Sequence, residues 1–228
     1  MIKEKLDGPH YPDNIEGSYD SLVIFLHGYG SDGEDLISLA PAFHQHLPNT
    51  FFIAPNAPYR CDQSVNGYQW FGLQLLDPFI LLPAARHSSE YIEDFISHQA
   101  KRLNLPHSRI ALIGFSQGTM MGLHVAFRQR QQLGALIGFS GAMIAKHLLK
   151  QEILSYPPTL LIHGEQDMVI PFQESKNAEK TLKDANVPVQ FINRPNLGHS
   201  IDPEGLKAAI QFLKEIFTGK ANLKMKIS

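Results

Sequence analysis

One cysteine, Cys61, stands in the 228 residues, so no disulfide can form within the chain and a disulfide-stapled scaffold is excluded. Long apolar runs are missing too: stretches such as Leu22–Leu26 fall far short of the roughly 20 residues a membrane-spanning helix needs. Neither sign of charge dominates, with 20 basic against 22 acidic residues, a formal net charge of −2 and no block of like charge. A nucleic-acid or anionic-membrane partner is therefore not expected. Met1 to His10 carry charges where a secretory signal would need an apolar core, so the expected location is a reducing cytoplasm. The neighbours of Cys61, Arg60 and Asp62, do not decide a role for its thiol. Internal repeats, low-complexity linkers and composition breaks are also lacking. With 43% hydrophobic residues, the length suits a single domain over 1–228.

What is present is alternation. β-rich runs at Leu22–Leu26, Phe51–Ala54, Ile110–Ile113, Ala135–Phe139, Leu160–His163 and Val189–Asn193 are separated by stretches of helical period at Glu34–His46, Ser88–Leu103, Gln117–Gln131, Ala142–Leu154, Gln173–Ala185 and Pro203–Phe217. Strands alternating with helices imply an α/β protein whose central sheet is mostly parallel, with helices on both faces. Pro203 directly after Asp202 marks a capped start of the last helix. One segment breaks the rhythm: residues 55–83 open with Pro, Gly and Asn, then carry Trp70, Phe71, Leu73, Leu75, Leu76 and the apolar run Phe79 to Leu82. Such an excursion is either an apolar wall or lid near an active site, or extra core or a subunit contact.

The chemistry-bearing motif is Gly114-Phe115-Ser116-Gln117-Gly118, placed after a β-rich run and before a helical one. This is the setting of a nucleophile elbow, where a serine sits on a strained turn and side chains two positions away on either side would strike backbone. Gly138-Phe139-Ser140-Gly141-Ala142 also follows a strand, but its fifth residue is alanine, and Ser140 reads as a loop serine. A serine hydroxyl needs a base. Of the histidines after Ser116, His124 and His147 fall on helices and His163 precedes its nearest acid; His199, in a loop between the last strand and the last helix, is the candidate base. Asp167, after the run Leu160–His163, is the candidate acid, with Glu165 as its rival and Asp202 reading as a helix cap. Oxyanion donors are expected from the backbone N–H groups of Gln117 and of Tyr29, in the loop His27-Gly28-Tyr29-Gly30. That loop lacks both the GxGxxG spacing and a Walker lysine, which argues against a phosphate site.

These segments, with Ala54-Pro55-Asn56-Ala57-Pro58 and Gln69-Trp70-Phe71, resemble the phospholipase/carboxylesterase family, which includes the acyl-protein thioesterases; the match runs from about Leu22 to Leu213. The resemblance implies an α/β-hydrolase fold, hydrolysis of carboxylic esters or thioesters of a small molecule or lipid, no cofactor and no metal. It also implies an acyl site bordered by Trp70, Leu73 and Leu75, and a homodimer. Gly30-Ser31-Asp32-Gly33-Glu34-Asp35-Leu36 looks more like the bacterial carboxylesterases of the family, and Thr119 stands where many relatives have glycine, a difference without an expected chemical consequence. A hydrolase-fold binding module without turnover is the rival reading. A dienelactone-type hydrolase would carry cysteine at position 116.

Overall fold

A computed structural model describes residues 5–14, 17–73 and 78–219. Strands β1 (His10–Tyr11), β2 (Ser21–Leu26), β3 (Thr50–Ile53), β6 (Ile110–Phe115), β7 (Ala135–Phe139), β8 (Thr159–Gly164) and β9 (Val189–Arg194) form one sheet in the order β1-β3-β2-β6-β7-β8-β9. β1 is antiparallel to β3, and the other pairings are parallel. A small antiparallel pair, β4 (Tyr59–Arg60) and β5 (Tyr68–Gln69), lies within the excursion.

The near-continuous apolar strands follow from burial on both faces, as parallel sheets require. Along β2, Leu22, Ile24 and Leu26 enter one core with Ile92 and Ile96 of α3 (Pro78–Leu103), Met121 and Val125 of α4 (Gln117–Ala126), and Leu182 of α6 (Phe172–Asp184). Val23 and Phe25 point the other way, to Leu36 of α1 (Gly33–Ile37), Phe43 of α2 (Ala40–His44), and Phe212 and Leu213 of α7 (Pro203–Phe217). β2 is thus the two-sided centre. Among the described residues no helix is long and apolar enough to cross a membrane.

Four expectations change. The helix expected over 34–46 is two short ones, because Pro41 sits in the first turn of the second and supplies no N–H to continue the first. That over 142–154 shrinks to a 3-10 turn at Lys146–Leu148 and α5 (Leu149–Glu152): Ser140 and Ala145 have φ of 48° each, and no right-handed helix runs through such residues. α4 ends at Ala126, short of 131. α3 starts ten residues before Ser88, taking in Pro83, so the end of the apolar excursion is helix rather than a loose cover. Short pieces such as β1, β4 and β5 carry too few residues to show a period.

Several histidines are buried in this frame. Burial lowers the pKa of His27 and of His163. Burial and the Arg128 and Arg86 guanidiniums, against the opposing charge of Glu152, bring His124 on α4 down to about 4. In the unfolded chain these imidazoles take protons at higher pH than in the folded one, so stability is complete above about pH 6.5 and falls as the medium is acidified. For His124 alone the shift corresponds to about 3 kcal/mol. The urea midpoint is expected to drop steadily from pH 7 to pH 4.5, and His124→Leu should flatten that slope; equal slopes in the two proteins would remove His124 as the cause.

Candidate active site

The chain moves from β2 outward to β3, then returns to the other side of β2 for β6. The carboxyl ends of β2 and β6 therefore flank a topological switch point, where open α/β sheets place their ligands. The loop after β2 begins with His27, and the residue after β6 is Ser116.

Ser116 has φ 54° and ψ −116°, outside every comfortable region for a side-chain-bearing residue. Close packing holds it there. A Cβ on Gly118 would lie 1.8 Å from the Leu26 carbonyl oxygen, and one on Gly114 would lie 2.5 Å from the carbonyl carbon of Gly118. The Ser116 N–H donates to the Phe139 carbonyl oxygen at 2.9 Å. Gln117 opens α4, so its N–H is one of the orphan donors of a helix start. Among the described residues no acceptor takes the N–H of Gln117 or of Tyr29.

The loop carrying Tyr29 is braced from several sides. Gly30 N–H donates to Tyr68 O (2.9 Å) and Tyr68 N–H to Ser31 O (2.7 Å). The Tyr29 hydroxyl donates to Asp62. His27 accepts the Ala57 N–H on Nε2 (3.0 Å), so its proton is on Nδ1, directed at Gly28 O (2.8 Å). Trp70 was expected to border an acyl site. Instead it is fully enclosed, its indole N–H donating to His27 O at 3.0 Å. Its backbone is clamped by the Gln117 side chain, which accepts from Trp70 N–H (2.9 Å) and donates to Phe71 O (2.7 Å). Trp70 therefore braces the loop rather than offering surface to a ligand. Leu73 is half-buried against the same core, and Leu75 lies outside the described residues.

Across the sheet, Asp167 and His199 meet. His199 Nδ1 lies 2.7 Å from Asp167 Oδ2, and Asp167 Oδ1 accepts the N–H groups of Val169 and Ile170, both at 2.9 Å. Burial works to raise the Asp167 pKa, but these hydrogen bonds outweigh it and hold the carboxyl below its usual range. With Nδ1 engaged, Nε2 is the nitrogen left for a hydroxyl proton. The His199 ring packs 4.8 Å, centroid to centroid, from that of Phe115, the residue before Ser116. Glu165 pairs with exposed Asn193 instead, and Asp202 caps α7 through Gly205 N–H (2.9 Å) while holding Arg194. Ser140 is buried to 1% exposure, whereas Ser116 keeps 8%.

Beside His199 lies a cleft of about 310 Å³ lined by Leu36, Leu39, Phe115 and Ile201 with polar Asp35, Ser38 and Ser200. A larger groove of about 830 Å³, between the ends of α3 and α4, contains none of these groups. Two contributors escaped the sequence reading. The amide of Gln117 acts through its side chain as well as its backbone, and His163 reaches Asp167, its Nε2 3.1 Å from Oδ2. The latter could have been found from the four-residue spacing of His163 and Asp167 across a turn.

A mostly parallel sheet whose sixth strand ends on a strained serine, with an aspartate–histidine pair on later loops, defines an α/β-hydrolase-fold protein. The chain belongs to the phospholipase/carboxylesterase family, which matches residues 15–217. It is 39% identical to the esterase PE8, whose solved structure it matches with a TM-score of 0.88 over 93% of this chain and all of that one. It is 28% identical over 227 residues to acyl-protein thioesterase 1 homolog 1 of Dictyostelium discoideum, covering 94% of this chain and 98% of that protein. Zea mays acyl-protein thioesterase 2, at 22% identity and a TM-score of 0.73 over 92% of this chain and 99% of its own, shares the fold.

The elbow's packing gives a direct test. Gly118→Ala should destabilise the protein by about 3 kcal/mol or more, since the obstacle is backbone. Gly72→Ala, where an added Cβ meets nothing within 4 Å, should stay within about 0.5 kcal/mol. Comparable urea midpoints for the two variants would contradict the close approach.

Proposed function

We propose that the protein is a serine hydrolase of carboxylic esters or thioesters, with Ser116 as nucleophile, His199 as general base and Asp167 as the acid that orients it. The observation that carries this reading is the 2.7 Å contact between His199 Nδ1 and Asp167 Oδ2, on the same sheet edge as the strained serine. Its relatives include an esterase and acyl-protein thioesterases, which supports the same chemistry.

In this mechanism His199 Nε2 takes the hydroxyl proton as Ser116 attacks the acyl carbon. Asp167 remains ionised, fixes the imidazole tautomer and stabilises the imidazolium. The oxyanion is met by the N–H groups of Tyr29 and Gln117, and the positive end of α4 adds to them. His199 then protonates the leaving alcohol or thiol, activates water, and the acyl-serine is hydrolysed. No step calls for a cofactor. The cleft beside His199, with Leu36, Leu39 and Ile201 on its walls, receives an apolar part of the substrate. A binding module without turnover has nothing specific in its favour, since a mere binder would not need the strained serine.

Ser116→Ala should abolish both ester hydrolysis and labelling by a fluorophosphonate, and Asp167→Asn should lower kcat by about 10³-fold or more while the fold persists. Persistent labelling of the Ser116→Ala protein would sink the assignment. Leu39→Trp should shift acyl-length preference across a p-nitrophenyl ester series; an unchanged profile would remove the cleft from the substrate path.

A further inference from the structure

Asp167 is touched by two imidazoles. Besides His199 Nδ1 at 2.7 Å, His163 Nε2 lies 3.1 Å from the same oxygen, Oδ2, and 2.9 Å from the Ile170 carbonyl oxygen. Both His163 and Asp167 have side chains with no solvent exposure. A carbonyl and an ionised carboxylate can only accept, so the nitrogen facing both must carry a proton. The tautomer is therefore assigned by its surroundings. His163 Nδ1 lies 2.6 Å from Ser175 Oγ, so with the proton on Nε2 it accepts the Ser175 hydroxyl proton, and Ser175 on α6 fixes the far side of the ring. The Phe172 ring stands edge-on to it at 5.9 Å. Among the described residues, the titratable groups that face His163 are Asp167 and His199.

We propose that His163 is a positioning residue for Asp167, its Nε2–H shared between Ile170 O and Asp167 Oδ2 so that the carboxylate keeps its orientation and does not give all its basicity to His199. The inference rests on the hydrolase reading above. An acid whose Oδ2 served His199 alone would hold the imidazolium more tightly, and the base would lose its proton only at higher pH. A second donor on that oxygen moderates this pull. It also adds a second contact on Oδ2 to the two backbone donors on Oδ1, which further restrains the carboxylate against rotation when His199 moves its proton. Burial lowers the pKa of His163, which keeps it in the neutral form that has one N–H to give.

Two variants separate positioning from mere packing. His163→Phe keeps the ring's volume and removes the donor; His163→Gln restores an amide N–H at the reach of Nε2. The Phe variant should move the acid limb of the kcat/KM profile upward by about half a pH unit or more. Its kcat should fall roughly tenfold with KM little changed. The Gln variant should bring the limb back. An unmoved limb in a folded Phe variant, or a Gln variant no better than Phe, would overturn the proposal. If the Phe variant does not fold, nitrogen-detected NMR of the parent protein decides: His163 should show a protonated Nε2 from pH 6 to 8, and a bare Nε2 would overturn the assignment. That measurement needs no turnover. Failure of the parent to hydrolyse any ester would count against the hydrolase reading, whereas a bare Nε2 in an active enzyme would count against His163 alone.

Discussion

The approach of α4 to the Leu26 carbonyl is the contact on which the rest of the site depends. At Gly118 the helix backbone comes so close to the end of β2 that a single Cβ would occupy the carbonyl's place. Helix, β2 and β6 are thereby locked at one junction, and Ser116 takes the conformation that closes it. The strain at one residue is small beside the apolar surface that this junction buries on both faces of β2. The geometry of Ser116 is thus a consequence of core packing, not of its own preferences.

The same junction carries a polar lattice that sets the loop of Tyr29. Gln117, adjacent to the serine, spends its amide on the backbone of Trp70 and Phe71, while Trp70 spends its indole N–H on His27 O. Each group is buried, so each bond replaces one that water would otherwise supply, and losing a partner would strand the other. The excursion is therefore built into the site as a brace. Under the proposed mechanism this lattice would lend rigidity to the backbone N–H groups of Tyr29 and Gln117, since preorganised donors act best when nothing must reorganise as charge develops.

The succession of strands and helices along the chain and the elbow were legible because each rests on a local rule. Buried parallel strands read as unbroken apolar runs, and the elbow needs glycine on both sides of the serine. Asp167 was separable from Glu165 only by orientation along the sheet edge; in the structure Asp167 meets His199 while Glu165 meets Asn193. What stayed hidden is non-local. That Trp70 faces inward depends on an amide 47 residues away, and no apolar pattern distinguishes a brace from a substrate wall. Likewise, the short helices after Ser140 follow residues of positive φ, which no sequence period announces.

The turn after β7, which carries the second elbow-like serine, Ser140, is a packed junction. The Phe139 carbonyl oxygen accepts both the Ser116 N–H and the Thr119 hydroxyl, at 2.9 and 2.7 Å. Two residues on, the Gly141 carbonyl oxygen lies 2.7 Å from the hydroxyl oxygen of Ser175, the partner of His163. The turn through Ser140 thus has Ser116 on one side and the Ser175–His163 contact on the other. Thr119 completes it. Its methyl fills the space where a Cβ on Gly138 or Gly141 would come within 2.6 or 2.3 Å, so a threonine here goes with glycines there. Glycine at position 119 would remove a donor and open a void against both. Thr119 therefore ties the start of α4 to the end of β7, beside the Phe139 carbonyl oxygen that holds the Ser116 N–H.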